Sequence, residues 1–225
     1  MSKPITITRE IFQVGGYGLT APEDAAIYLI HFDGHAALVD AGTGRGQAQL
    51  LDQIKKTGVR PEHIDFLLLT HCHYDHTGGA FGLREKLGCP VIAHQLDADF
   101  LERGDHEVTA ASWYGVKLQP CPVDRRLSEA RQHLPLGERA ITALHIPGHS
   151  PGSLAFLVES ERQTVLFAQD VHGPLDARLL SNRADYLASL NQMLALEADI
   201  LCEGHYGIFR GKEAVADFIR SFLDT

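Results

Sequence analysis

Residues 70–79 read Thr-His-Cys-His-Tyr-Asp-His-Thr-Gly-Gly, and His71, His73, Asp75 and His76 within them are potential metal ligands. They follow directly on the apolar run Ile64-Asp65-Phe66-Leu67-Leu68-Leu69. A run of that kind reads as a buried strand, and its end delivers three imidazoles and a carboxylate to one spot. Imidazole suits zinc or iron, and a carboxylate adds charge compensation. The HxHxDH spacing is too dense for one tetrahedral ion to use all four groups, so it predicts two adjacent metals.

Three further apolar stretches end in potential ligands. Ala140–Ile146 runs into Pro147-Gly148-His149, Val165–Ala168 into Gln169-Asp170, and Ile200–Cys202 into Glu203-Gly204-His205. Strands that share a direction bring their ends to one edge, the general place for ligand sites in α/β proteins. Gly148 and Gly204 let the backbone turn sharply beside two of these ligands. A histidine met alone is usually a core or surface residue. His71, His73, His76, His149 and His205, with Asp75 and Asp170, form an ordered set at strand ends and predict a metal site.

The remaining candidates are more local. Asp40, at the end of Leu38-Val39-Asp40-Ala41-Gly42, reads as a carboxylate that orients ligand histidines. His145 and His172 lie near ligands in the chain and are candidates for a supporting or substrate role. His94 reads as a helix cap. His31, His35, His63, His106 and His133 read as surface or loop residues. Cys72, between two ligands, should point away from the metals and pack. Trp113, Tyr114, Tyr17, Tyr206 and Arg183 are candidates for pocket walls, and the substrate-binding residues are otherwise unreadable.

Bulk properties narrow the classes. The chain has 225 residues, 44% of them hydrophobic, and a formal net charge of −9. That balance argues against a phosphate-backbone binder, which needs clustered Lys and Arg. The four cysteines show no CxxC spacing and read as free thiols of a reducing compartment. No apolar leader and no membrane-length run is present, so a cytoplasmic protein with a small-molecule substrate is expected.

The supporting elements are read from periodicity. Ile5–Val14, Ala25–His31 and His35–Val39 read as strands, a hairpin start. Helices are expected over about 46–57, 79–87, 95–102, 184–196 and 212–223, with Gly58 and Gly88 as stops. Val91–Ala93, Leu154–Glu159 and Asp199–Cys202 read as strands. Residues 103–122 read as loop or a loose helix. No linker, repeat or low-complexity segment appears, which predicts one domain over 1–225.

With these residues placed, the chain resembles the metallo-β-lactamase superfamily over nearly its whole length. The resemblance rests on Leu38-Val39-Asp40-Ala41-Gly42, the HxHxDH residues 71–76, Pro147-Gly148-His149-Ser150-Pro151-Gly152-Ser153, Asp170 and Gly204-His205. It implies an α/β fold, the αβ/βα four-layer sandwich, with a dinuclear site on one edge. It also implies the ligand assignment: His71, His73 and His149 for one ion, Asp75, His76 and His205 for the other, and Asp170 as the bridge. Two divalent ions are implied, zinc first and iron or manganese as alternatives, sharing a bridging hydroxide. Asp75 is the implied catalytic proton carrier.

The aspartate at 170 is similar to that of the glyoxalase II-like branch and of lactonases. True β-lactamases tend to carry cysteine or serine there. Gln169 departs from the glycine common before that aspartate. Only 20 residues follow His205, so the C-terminal glutathione-binding helical region of glyoxalase II is expected to be missing. The resemblance therefore implies a dinuclear hydrolase of a small thioester, ester or lactone. The alternative it leaves open is a mononuclear iron persulfide dioxygenase holding its iron with His71, His149 and Asp170.

Overall fold

Alternate residues of β3 (Ile27–Phe32) enter two different cores. Ile27 and Leu29 pack with helical residues, whereas Tyr28, Ile30 and Phe32 pack against residues of a second sheet. Successive strand side chains point to opposite faces, so a strand apolar at all positions but His31 must be covered on both. The computed structural model describes residues 2–223; Met1, Asp224 and Thr225, the ends of the expected 1–225 span, lie outside them.

Around β3 the first half of the chain builds β1 (Ile5–Thr8), β2 (Ile11–Gly15), β4 (His35–Val39), α1 (Gln47–Lys56), β5 (Ile64–Leu68), α2 (Tyr74–Thr77), α3 (Ala80–Leu87), β6 (Val91–His94), α4 (Gln95–Arg103) and β7 (Arg125–Leu127). The second half builds β8 (Arg131–Leu136), β9 (Arg139–His145), β10 (Leu154–Ser160), β11 (Gln163–Phe167), α5 (Arg183–Leu194), β12 (Ile200–Cys202), β13 (Ile208–Arg210) and α6 (Lys212–Arg220). Strands β1 to β7 form one sheet in sequence order. It is antiparallel through β4 and parallel from β4 to β7. The other sheet has the order β13-β12-β11-β10-β9-β8.

Three cores hold four layers together. Leu50, Leu51 and Ile54 of α1, Leu83 of α3 and Leu101 of α4 cover the outer face of the first sheet. Phe156 and Val158 of β10 and Phe167 of β11 meet Tyr28, Ile30 and Phe32 between the sheets. Tyr186, Leu190 and Met193 of α5, with Val215 and Ile219 of α6, cover the second sheet. Each fully buried side chain of this size contributes roughly 1.5–3 kcal/mol. The result is the αβ/βα sandwich that the resemblance implies.

Several boundaries differ from the sequence reading. The stretch 5–14 breaks into β1 and β2 at the Arg9-Glu10 turn, and Ala25-Ala26 precede β3 instead of starting it. β7, β8 and β13 were not expected as separate strands. β8 reads Arg-Gln-His-Leu-Pro-Leu, and only Leu134 and Leu136 are buried, so its alternation is weak. Arg103 closes α4, and residues 104–122 are loop apart from a 3-10 turn at Ala111–Tyr114.

The topology positions the functional ends. β9 and β11 are each antiparallel to β10, and β12 is parallel to β11, so β9, β11 and β12 point the same way. Their C-terminal ends lie with that of β5 at one rim. Among the described residues no helix is long and apolar enough to cross a membrane.

Candidate metal centre

The loop after β5 is shaped by two buried carboxylates. Asp40 sits at the end of β4 with φ 65°, a left-handed conformation that aspartate tolerates better than most residues. It accepts the Thr70 N–H at 2.8 Å and the Thr70 hydroxyl at 2.7 Å. Asp97, in the first turn of α4, accepts the Cys72 N–H at 2.9 Å. Cys72 thereby turns its fully buried thiol into the helix-side core, between His71 and His73. The short α2 then delivers Asp75 and His76.

The other ligand candidates arrive from the second sheet. Gly148 has φ 132°, and a Cβ there would lie 2.2 Å from the Tyr186 nitrogen, so only glycine fits before His149. Asp170 follows β11 with φ 53°. Gly204 brings the turn after β12 so close that a Cβ would lie 2.8 Å from Asp170 Oδ1. His205 follows.

Three imidazoles are gripped at Nδ1. His71 Nδ1 lies 3.0 Å from Thr70 Oγ1, His76 Nδ1 2.8 Å from Asp40 Oδ2, and His149 Nδ1 3.0 Å from the Pro174 carbonyl. Each grip commits Nδ1 as donor and turns Nε2 toward the interior.

Those interior atoms converge. Asp170 Oδ2 lies 3.7 Å from His71 Nε2 and 3.2 Å from His149 Nε2. Asp170 Oδ1 lies 3.2 Å from His76 Nε2 and 3.3 Å from His205 Nε2. Asp75 Oδ2 lies 3.2 Å from His205 Nε2. The His73 ring centroid is 4.5 Å from those of both His71 and His149. Two histidine-rich sets result, His71, His73, His149 and Asp170 in one, and Asp75, His76 and His205 in the other; Asp170, His172 and Glu203 form a third group.

The donor atoms fit cations. The Nε2 atoms of His71, His73, His76 and His149, and Oδ1 of Asp170, are buried without a hydrogen-bond partner. Buried polar atoms are rarely left unpaired. Zinc–ligand distances of about 2.0–2.1 Å put neighbouring donors of a tetrahedral shell about 3.3 Å apart, which is the spacing seen across Asp170.

The charges agree. Burial, with neighbouring imidazoles, holds His71 well below its ordinary value, and burial brings His73 down to about 3. Both are therefore neutral, with lone pairs ready. Burial alone would raise Asp170, but the facing His76, His149 and His205 hold it well below the usual carboxylate range. Burial also opposes charge on His76 and His205, yet the aspartates outweigh it: His76 is raised, and His205 reaches about 10.

Residues 21–205 match the family described as the Metallo-beta-lactamase superfamily. The chain belongs to that superfamily. It is similar to the acyl-coenzyme A thioesterase MBLAC2 of Homo sapiens, 32% identical over 215 residues, 82% of this chain and 74% of that protein. It is also similar to the hydroxyacylglutathione hydrolase GloC of Haemophilus influenzae, 31% identical over 186 residues, 78% of this chain and 81% of that protein. Among solved structures, the metallo-beta-lactamase GOB-18 from Elizabethkingia meningoseptica gives a TM-score of 0.77 at 28% identity, covering 91% of this chain and 77% of that one.

Two cavities open onto this metallo-β-lactamase-type rim. One of about 190 Å³ reaches His73, Asp75, Asp170 and His205 and has Ala110, Trp113, Pro174 and Leu179 as apolar walls. The other, about 440 Å³, is bounded by Gln13, Tyr17, Glu23, Tyr206 and His205. Tyr114 borders both, and its phenol is raised by burial and by nearby Asp75. His172 lines the smaller cavity, and its Nδ1 lies 2.9 Å from Glu203 Oε1. Arg183 stands instead at the start of α5.

His145 lies elsewhere from where its sequence position suggested. Its ring stacks on His94 at 3.8 Å, and its Nε2 donates to the Pro151 carbonyl at 2.9 Å. β9 ends there, and the chain needs four more residues to reach His149. His94 caps α4 by accepting the Leu96 N–H. Two residues escaped the sequence reading of function. Asp97 joins the Cys72 loop to Ser150 and Gly152, and Glu203 joins His172 to the His205 turn. The only sequence signal for Glu203 was its place at a strand end.

Proposed function

We propose that this chain is a dinuclear metal-dependent hydrolase of small thioesters, with esters and lactones as related acyl substrates. The observation that carries the reading is Asp170, whose two oxygens face two separate histidine sets. His71, His73 and His149 would hold one ion, and Asp75, His76 and His205 the other, with Asp170 between them. Zinc suits this mixture of imidazole and carboxylate donors. When bound, the pair supplies a Lewis acid for the carbonyl oxygen and a water of lowered pKa.

The chain's own groups do the rest. Asp75, which lines the cavity beside His205, is the group assigned to take the proton of the attacking water. The apolar walls Ala110, Trp113, Pro174 and Leu179 suit an acyl arm. The wider cavity, with Gln13, Tyr17 and Tyr206, suits a polar thiol arm. The similarity to a thioesterase and a hydroxyacylglutathione hydrolase supports the choice of thioesters. The single-iron reading uses only His71, His149 and Asp170 and leaves the buried Nε2 atoms of His73 and His76 unpaired.

Zinc added back to metal-stripped protein should restore thioester hydrolysis, reaching its plateau at two ions per chain, and His71→Ala should abolish it. Hydrolysis indifferent to chelation refutes the proposal. One iron per chain with oxygen uptake on a persulfide substrate would instead establish the dioxygenase.

A further inference from the structure

We propose that Glu203 is a positioning residue: its buried carboxylate fixes the turn that carries His205 and so sets the affinity of the second cation position. The inference rests on the two-ion reading above.

Glu203 follows β12 directly and is 0% exposed. A buried carboxylate costs several kcal/mol unless donors compensate it. Here three donors do so. Oε2 accepts the backbone N–H of His205 at 2.6 Å and of Tyr206 at 2.9 Å, and Oε1 lies 2.9 Å from His172 Nδ1. The main chain of Glu203 is pinned as well. Its carbonyl accepts the Tyr28 hydroxyl at 2.7 Å, and its N–H donates to the Gly207 carbonyl at 3.0 Å. The turn from Glu203 to Gly207 is thus folded around its own first side chain.

His205 depends on this turn more than the other histidines depend on theirs. Its side chain is 34% exposed, against 1% for His71, 0% for His76 and 5% for His149. Those three sit in packed surroundings with Nδ1 gripped, whereas the hold on His205 that Glu203 supplies is on its main chain. Gly204, between the two, abuts Asp170 Oδ1 and Gln169 Oε1 with no room for a side chain. A change in the turn therefore moves His205 against the shared carboxylate. Charge works in the same direction. Asp170, His172 and Glu203 place a ligand-type atom each within 4.8 Å of one another, so Glu203 adds a carboxylate beside Asp170 and favours a cation there.

The test is zinc content at buffered free zinc for the wild type, Glu203→Ala, Glu203→Gln and His172→Ala, with circular dichroism to verify folding. The wild type and His172→Ala should hold two ions per chain. Glu203→Ala should hold one at the free zinc that saturates the wild type, its second ion weakened more than about tenfold. Glu203→Gln keeps an acceptor oxygen for the two N–H groups but not the charge, and its second ion should weaken less. A folded Glu203→Ala protein with both wild-type affinities overturns the inference. If that variant does not fold, Glu203→Gln with a wild-type second affinity does so. Loss of the second ion in His172→Ala would move the role to the imidazole and overturn it too. A wild type that never holds two ions refutes the dinuclear reading itself, and this inference with it.

Discussion

Asp40 Oδ2 lies 2.8 Å from His76 Nδ1, and both side chains are fully buried. The same carboxylate receives the N–H and the hydroxyl of Thr70, whose oxygen in turn faces His71 Nδ1. One carboxylate therefore sets the orientation of an imidazole in each of the two histidine sets. Asp40→Asn keeps the size but places an amide among these donors. Metal affinity should fall about 10–100-fold, read by competition with a chromophoric chelator. An unchanged affinity would show that His71 and His76 are oriented by packing alone.

Asp97 is the second buried organiser. Its carboxylate takes the Ser150 hydroxyl at 2.6 Å, the Gly152 N–H at 2.6 Å and the Cys72 N–H at 2.9 Å. Asp97→Ala strands these donors and should lower unfolding free energy by roughly 2–4 kcal/mol. Urea unfolding checks this, and a loss below about 1 kcal/mol would mean that water or relaxation replaces the carboxylate.

Gly148 offers a steric test. With φ 132° and Tyr186 N at 2.2 Å from any added Cβ, Gly148→Ala must displace either α5 or the His149 loop. We expect a stability loss above about 2 kcal/mol together with weaker binding in the His71, His73 and His149 set. Chemical denaturation and zinc content read the two effects separately, and a variant normal in both would contradict the geometry.

His94 gives the fold a pH dependence whose sign is fixed. Burial and the stacked His145 lower it from 6.5 to about 4. The unfolded chain therefore takes up this proton first. The contribution to stability is whole above about pH 6.5 and is lost as pH falls from there through 4. His94→Asn retains an acceptor for the Leu96 N–H but cannot titrate. Between pH 7 and 4.5 the denaturation midpoint of the wild type should fall further than that of the variant. Parallel curves would assign the acid sensitivity to other groups.

The metal-bearing chemistry was legible because its residues are local or sit at apolar strand ends. His71, His73, Asp75 and His76 lie in six consecutive positions, and β5, β11 and β12 announce themselves by unbroken buried apolar runs. Asp97 was not legible, because a carboxylate in the first turn of a helix looks like an ordinary end residue. Its partner Ser150 is 53 residues away. His145 misled for the complementary reason: closeness in sequence to His149 says nothing about the ring of His94 on another sheet. β13 has three residues, none of them fully buried, so no periodicity could reveal it.

The converging donors come from both sheets. His71, His73, Asp75 and His76 hang from the end of β5, while His149, Asp170 and His205 hang from β9, β11 and β12. On the two-ion reading the halves of the molecule are fastened twice, by oil between them and by an ionic rivet at the lip. Without cations, the buried Nε2 atoms of His71, His73, His76 and His149 are left without partners at the seam. A molecule stripped of its cations should begin to breathe there, its rim amides exchanging with solvent hydrogen well before those at mid-strand.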